Sequence, residues 1–385
     1  MIAVDVQVVD KNGNPVGQIG PESFEVSINK QRRKVVSAQF LRHTRDATLP
    51  SNLAETPNGG GRTIILAIDN GSFEPGSLHE AMADVQSFLR RLGPNDRVGL
   101  AVFPTGRWIP PTSERTYVSV QLNHVIGEKY TLRSRYNLKP SEIVDITTSA
   151  SNPSSFLTSA TTRTRLVADS TTEEELDPVR LVQRRECPLD PDCPSRIYAE
   201  GMELAVQLEN QTQASLNGLD ALLLRLAEIP GRKSVVLVSA GVLVSDRPEG
   251  RPDIGDLGRI LGQTAARANA VVYTLHLDRS ASVYGSAARS SPGNTERGRE
   301  RAMFAIFLDQ FSSAAGGMRI DIPVGGGAFA LDRVLRESSA YYLLGVEPAE
   351  TDRDGKARQL RVKVDRPGVT VRSRQWVMVP VKERS

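Results

Sequence analysis

The chain has 385 residues, with 48 Lys and Arg against 45 Asp and Glu, a net charge of +3, and 39% hydrophobic residues. This is the composition of a folded chain of two or three domains. The near-balance of charge gives no electrostatic reason to expect nucleic acid or an anionic membrane as partner. No apolar run approaches the roughly eighteen residues of a membrane span, so no membrane insertion is expected. The opening MIAVDVQVVD is a strand pattern with no charged segment leading into an apolar one, so no signal peptide is expected in it.

Val4, Val6 and Val8 alternate, Asn12-Gly13 offers a turn, and Phe24, Val26 and Ile28 then Val36, Ala38 and Phe40 alternate again. Period-two spacing broken by turn residues predicts antiparallel strands with one buried face. About forty residues cannot bury a core alone. The far end supplies a partner: Leu360, Val362 and Val364 alternate, Arg366-Pro367-Gly368 turns, and Val369 and Val371 resume. A small antiparallel β domain built from both termini, residues 1–45 and 350–380, is therefore predicted. The Pro-, Gly- and Asn-rich stretch 46–61 reads as a linker.

Beyond it the pattern changes to continuous apolar runs, as in strands buried on both faces. Thr63–Asp69, Val98–Phe103, Ser234–Ser239, Val271–Leu277 and Tyr341–Val346 read this way. Between them lie helical stripes: Leu78, Met82, Val85, Leu89 and Leu92; Val118 and Leu122; Leu216, Leu219, Leu223 and Leu226; Leu257, Ile260 and Leu261; then helices near 300–315 and 328–337. Strands alternating with helices predict a doubly wound, mostly parallel α/β sheet over 62–346. Residues 130–210 interrupt the rhythm and read as a long insertion. Ser and Thr dominate 145–172, which suggests a mobile, weakly packed excursion, and a helical stripe of Ile197, Gly201, Leu204 and Leu208 begins near Pro194.

Ligands of doubly wound sheets bind at the carboxyl ends of the strands, which directs attention to Asp69-Asn70-Gly71-Ser72-Phe73, Pro104-Thr105-Gly106 and Ser239-Ala240-Gly241. An Asp closing the first buried strand, small polar residues and then an amphipathic helix resemble the von Willebrand factor type A fold. The stretch Pro230-Gly231-Arg232-Lys233 through Ser239-Ala240-Gly241, together with Ala315-Gly316-Gly317, Tyr341–Val346 and the opening Val4–Asp10 with Phe24-Glu25-Val26, resembles a bacterial branch of that family. The likeness covers roughly 1–45, 62–127 and 215–380.

The resemblance implies an exported adhesion or protein–protein interaction module, periplasmic or extracellular, with an unidentified protein as partner. It would also imply a metal-ion-dependent adhesion site, in which a hard ion such as Mg²⁺ takes oxygens from a D-x-S-x-S loop, a Thr and an Asp. Carried over by position, Asp69 keeps the first carboxylate, but Gly71 and Phe73 replace the serines and Ala240 replaces the acid. Ser72, Ser239 or Asp246 could substitute in part, and Thr105 or Thr112 could supply the hydroxyl. The expected reading is a degenerate site with no metal and no cofactor. Asp69 would then cap the following turn or bond the loop backbone, and Asp69, Asn70, Ser72, Thr105 and Ser239 would form the partner-binding face. The alternative is Mg²⁺ held by Asp69, Ser72 and Ser239, with the partner donating a carboxylate.

Other motifs yield less. Gly325-Gly326-Gly327 lacks the Lys-Ser/Thr ending of a phosphate loop. Ser239-Ala240-Gly241 is not the G-x-S-x-G elbow of hydrolases, and His276, inside VVYTLHL, reads as a core imidazole, so no enzyme is expected. The basic run Lys30–Lys34 reads as a solvated turn. Cys187 and Cys193 are too far from the four scattered histidines to suggest zinc. By spacing alone they are either a small disulfide loop or two free thiols, and the export implied by the resemblance favours the disulfide.

Overall fold

In a computed structural model the chain is described over residues 1–43, 61–129, 133–150, 177–277, 294–322 and 327–381. Most of the predicted linker and most of the Ser/Thr-rich stretch 145–172 lie outside them.

The continuous apolar runs form a six-stranded sheet in the order β10-β9-β8-β5-β6-β7. Its strands are β5 (Thr63–Asp69), β6 (Arg97–Phe103), β7 (Arg107–Thr112), β8 (Lys233–Ser239), β9 (Ala270–Leu277) and β10 (Met318–Ile322). All neighbours are parallel except β7, which folds back on β6 as a hairpin. Every residue of β5, β8 and β9 is buried, as strands covered on both faces require. Alternate side chains divide between two cores. Ile64, Leu66 and Ile68 face α1 (His79–Arg90), α2 (Arg115–Leu122) and α8 (Gly327–Glu337). Ile65 and Ala67 face α5 (Cys193–Ala227), α6 (Leu257–Arg267) and α7 (Asn294–Ala314).

The two leucine-bearing stripes read separately near 194 and 216 are one helix: α5 runs 35 residues without a break, about 50 Å at 1.5 Å per residue. Its second half packs on the sheet, and its first half carries a further core with α3 (Pro140–Ala150) and α4 (Pro178–Glu186). Most of the described part of the predicted insertion is therefore helical: residues 145–150 belong to α3, and Arg185 hydrogen-bonds Glu142 to tie α4 to it. Cys187 and Cys193 form a disulfide between α4 and the start of α5.

The terminal strands form two four-stranded antiparallel sheets, β13-β1-β11-β4 and β14-β12-β2-β3. The first joins β1 (Ile2–Val9), β4 (Val35–Arg42), β11 (Ala340–Val346) and β13 (Thr370–Ser373). The second joins β2 (Phe24–Ile28), β3 (Gln31–Arg33), β12 (Ala357–Val364) and β14 (Trp376–Met378). They close on one core of Val4, Val6, Phe24, Val26, Tyr342, Leu344 and Val362. One boundary is corrected here. Sequence pattern places Tyr341–Val346 in the doubly wound unit, but β11 pairs with β1 and β4 inside the terminal sheet. A continuous apolar run looks the same in either sheet, because the second face of β1 and β11 is also covered over part of its length.

That second burial comes from the junction between the units. Even-numbered β1 residues enter the sandwich core, while Asp5 and Gln7 are buried on the opposite face. Gln7 donates to the Tyr273 hydroxyl (2.7 Å) and to the Glu337 carbonyl (3.1 Å). The Glu337 carboxylate accepts from Arg333 and Arg372, and the Arg232 guanidinium lies 4.4 Å over the Tyr341 ring. Burial pushes the Tyr273 hydroxyl up to about 12, so it remains a neutral donor and acceptor there.

Candidate functional site at the strand ends

The order β10-β9-β8-β5-β6 reverses direction between β5 and β8, so the crevice at their carboxyl ends is the switch point of the sheet. Asp69 ends β5 and Ser239 ends β8, both fully buried on the face covered by α5 and α7. The Asp69 carboxylate accepts from Ser239 Oγ through Oδ2 and from Ser215 Oγ of α5 through Oδ1, each at 2.8 Å. Ser72 Oγ donates to the Asp69 carbonyl (2.8 Å) and accepts from the Ala240 amide (2.9 Å), joining the first loop to the third. Burial pushes the Asp69 carboxyl up to about 6, against the lowering pull of the hydrogen bonds from Ser215, Ser239 and Ser72.

The predicted face is thus brought together only in part. Asp69, Ser72 and Ser239 converge. Asn70 is buried beside them, but its Nδ2 donates to the Ile126 carbonyl (3.2 Å). Thr105 is exposed in the β6–β7 turn, with no hydrogen bond to the cluster among the described residues. Thr112 pairs with Val98 at the other end of β6 and accepts from the Glu114 amide. Asp246 does not reach in: both its oxygens accept from Arg299, which also holds Asp145, pinning the loop after β8 to α3 and α7. Asp69 makes no side-chain capping bond to the short 3-10 turn Asn70–Ser72: its Oδ1 is taken by Ser215 of α5 and its Oδ2 by Ser239 at the end of β8.

The positions that depart from the metal-site pattern are built into the packing. A side chain at Gly71 would meet Pro104 Cδ at 2.8 Å and Ser215 Oγ at 3.3 Å, and Phe73 is a buried member of the α1-side core. Among the described residues no group of three or more His, Cys, Asp or Glu side chains gathers.

A second row lies along the same strand ends. Ser239, His276 and Asp321 are register neighbours across β8, β9 and β10. His276 Nδ1 lies 2.8 Å from Asp321 Oδ1, and its Nε2 is buried without a partner among the described residues. The residue types suggest a nucleophilic triad, but the Ser239 hydroxyl donates to Asp69 and not to His276, and both side chains are sealed from solvent. A nucleophile needs its base within hydrogen-bond reach.

Beside Ser72 and Ser215 opens a cleft of about 130 Å³ between the strand-end loops, α3, α5 and α7. Its walls are mainly apolar: Leu138, Ile143, Leu204, Leu208, Leu243 and Phe304. Lys129 enters it with its ammonium 5.6 Å from the Phe304 ring centroid. Sequence reading missed both Ser215 and Lys129. Ser215 had a signal, since Thr212 and Ser215 are small hydroxyls on the otherwise leucine-bearing buried face of α5. Lys129 follows α2 in an extended stretch with no such pattern.

Elsewhere, the run Lys30–Lys34 is joined on the outer face of the second terminal sheet by a part of the chain far away in sequence. Arg361 pairs across Ser27, which pairs with Arg32. No protein-family model matches this chain, and no curated protein matches it. No helix among the described residues is long and apolar enough to cross a membrane.

Proposed function

We propose that the chain is a non-catalytic interaction module, related to the von Willebrand factor type A family, that meets a protein partner at the strand-end crevice without a metal ion. The observation that carries this is the state of Asp69. Both its oxygens already accept from serine hydroxyls and it is buried, so a divalent ion would have to displace those bonds to reach it. The residues at the other expected ligand positions do not fit a hexacoordinate site: Gly71 has no room for a serine, Phe73 is core, and Ala240 offers only backbone. The pairing of Ser239 with Asp69 in place of His276 supports a role without catalysis.

The metal-dependent alternative draws on one observation, the convergence of Asp69, Ser72 and Ser239 at one point. Calorimetric titration with Mg²⁺ and Mn²⁺ decides between the two. The metal-free reading expects no saturable heat from either ion. One-site binding that disappears in Asp69→Ala would overturn it.

A further inference from the structure

Lys129 is a charged group in the apolar cleft whose role nothing above explains. Its backbone amide is fixed by the Phe73 carbonyl (2.8 Å), and Gly127, two residues earlier, fits so closely under the Phe73 and Glu74 carbonyls that a Cβ there would stand 2.3–2.4 Å from their oxygens. The lysine is therefore placed by a fixed backbone, not by a free surface chain. Its ammonium faces the ring of Phe304, and Glu74 on the same wall and Asp69 beneath are the carboxylates that act on it, neither as an ion pair. Burial pushes its pKa down. An ammonium partly withdrawn from water, with no hydrogen-bonded counter-ion among the described residues, carries a cost that an anion supplied from outside relieves.

The geometry points to the cleft as the seat of a carboxylate on a short aliphatic group, supplied by the carboxy-terminal residue of a partner chain and held by Lys129. One residue, such as a terminal leucine, carries both parts on a single Cα. The carboxylate meets Lys129, and the side chain lies against Ile143, Leu204 and Leu208. The size admits the aliphatic side chain: the cleft of about 130 Å³ compares with a cavity of about 150 Å³ that holds the six heavy atoms of benzene, and a leucine side chain has four. An internal Asp or Glu would need two chain exits and would leave the apolar walls unfilled. A phosphate dianion suits the site less, because Glu74 opposes the single ammonium. This inference rests on the metal-free reading of the crevice and adds the ligand class to it.

The test uses the full chain in EDTA and four probes: an acetylated Ala-Ala-Ala-Leu peptide with a free carboxylate, its carboxamide, 4-methylpentanoate, and Mg²⁺ added separately. The expected result is saturable binding of the acid peptide and at least about tenfold weaker binding of the amide, as one charge-assisted hydrogen bond is worth. Lys129→Met should reduce the acid peptide to the level of the amide with a thermal melt no lower than that of wild type, and Ile143→Trp should block both. Equal binding of acid and amide, no binding of either, or a preference that survives Lys129→Met would overturn the proposal. Binding of 4-methylpentanoate without the peptide would assign the cleft to a free acid and overturn the partner-chain source. Acid-peptide binding only with Mg²⁺ would instead bring down the metal-free reading, whereas absence of both peptide and metal binding would remove the Lys129 site alone.

Discussion

Replacing Asp69 by Asn probes the electrostatics of the crevice directly. The carboxyl moves from 3.8 to about 6 on folding because burial penalises its charge. A shift of about two units corresponds to roughly 3 kcal/mol. The sign follows from proton binding: the folded state holds this proton more tightly, so Asp69 costs that energy above about pH 6, and the cost fades as the pH falls to about 4. The asparagine side chain of the variant would be neutral throughout. It could keep the bond from Ser215, and Ser239, which already accepts from the Gly241 amide (3.1 Å), could accept one amide proton as well. The second amide proton would be left without a partner, at about 1–3 kcal/mol.

That cost is the same at both ends of the pH range and cancels in the difference. Urea unfolding of wild type and Asp69→Asn in EDTA, at about pH 4 and about pH 8, should therefore show the variant gaining roughly 3 kcal/mol relative to wild type between the two. A difference near zero, or a variant that loses ground as the pH rises, would refute the reasoning and mean that folding does not raise the Asp69 pKa.

Other expectations follow from the same contacts. Gly71→Ser, which places a serine where the von Willebrand factor type A metal site has one, should destabilise the fold by about 1–3 kcal/mol through its contact with Pro104 and should confer no Mg²⁺ binding by calorimetry. Asp96 accepts from buried Arg62; burial raises its pKa, but the Arg62 hydrogen bonds and charge outweigh that and hold it below the usual range. Its contribution is thus present above about pH 4 and lost as the pH falls through the lowered value, and Asp96→Ala should cost about 3–5 kcal/mol in urea unfolding at neutral pH by stranding Arg62. Alkylation without reductant followed by mass analysis should label neither Cys187 nor Cys193, and the double Ser variant should lose about 2 kcal/mol by the loop-closure estimate.

How much of this was legible in the sequence depends on whether the signal was local. The runs Thr63–Asp69 and Ser234–Ser239 announced buried strands, the leucine stripes announced helices, and the doubly wound arrangement followed, because burial on both faces and helical period are written within a dozen consecutive residues. The placement of Asp69 at a strand end was legible for the same reason. What Asp69 does there was not, because its second partner, Ser215, lies 146 residues away on a helix.

Sequence alone determined the alternation of β1, the continuous character of β5, β8, β9 and β11, and the departures Gly71, Phe73 and Ala240 from the metal-site pattern. Only the tertiary structure decided that β11 joins the terminal sheet, that Asp5 and Gln7 are buried at a junction in place of facing water, and that Lys129 meets Phe304 in a cleft at the strand ends. The physical reason is common to all three. Period and composition specify how many faces of an element are covered, whereas the identity of the covering surface is set by crossovers that join residues hundreds of positions apart, and it is that surface that fixes the energy of each buried charge.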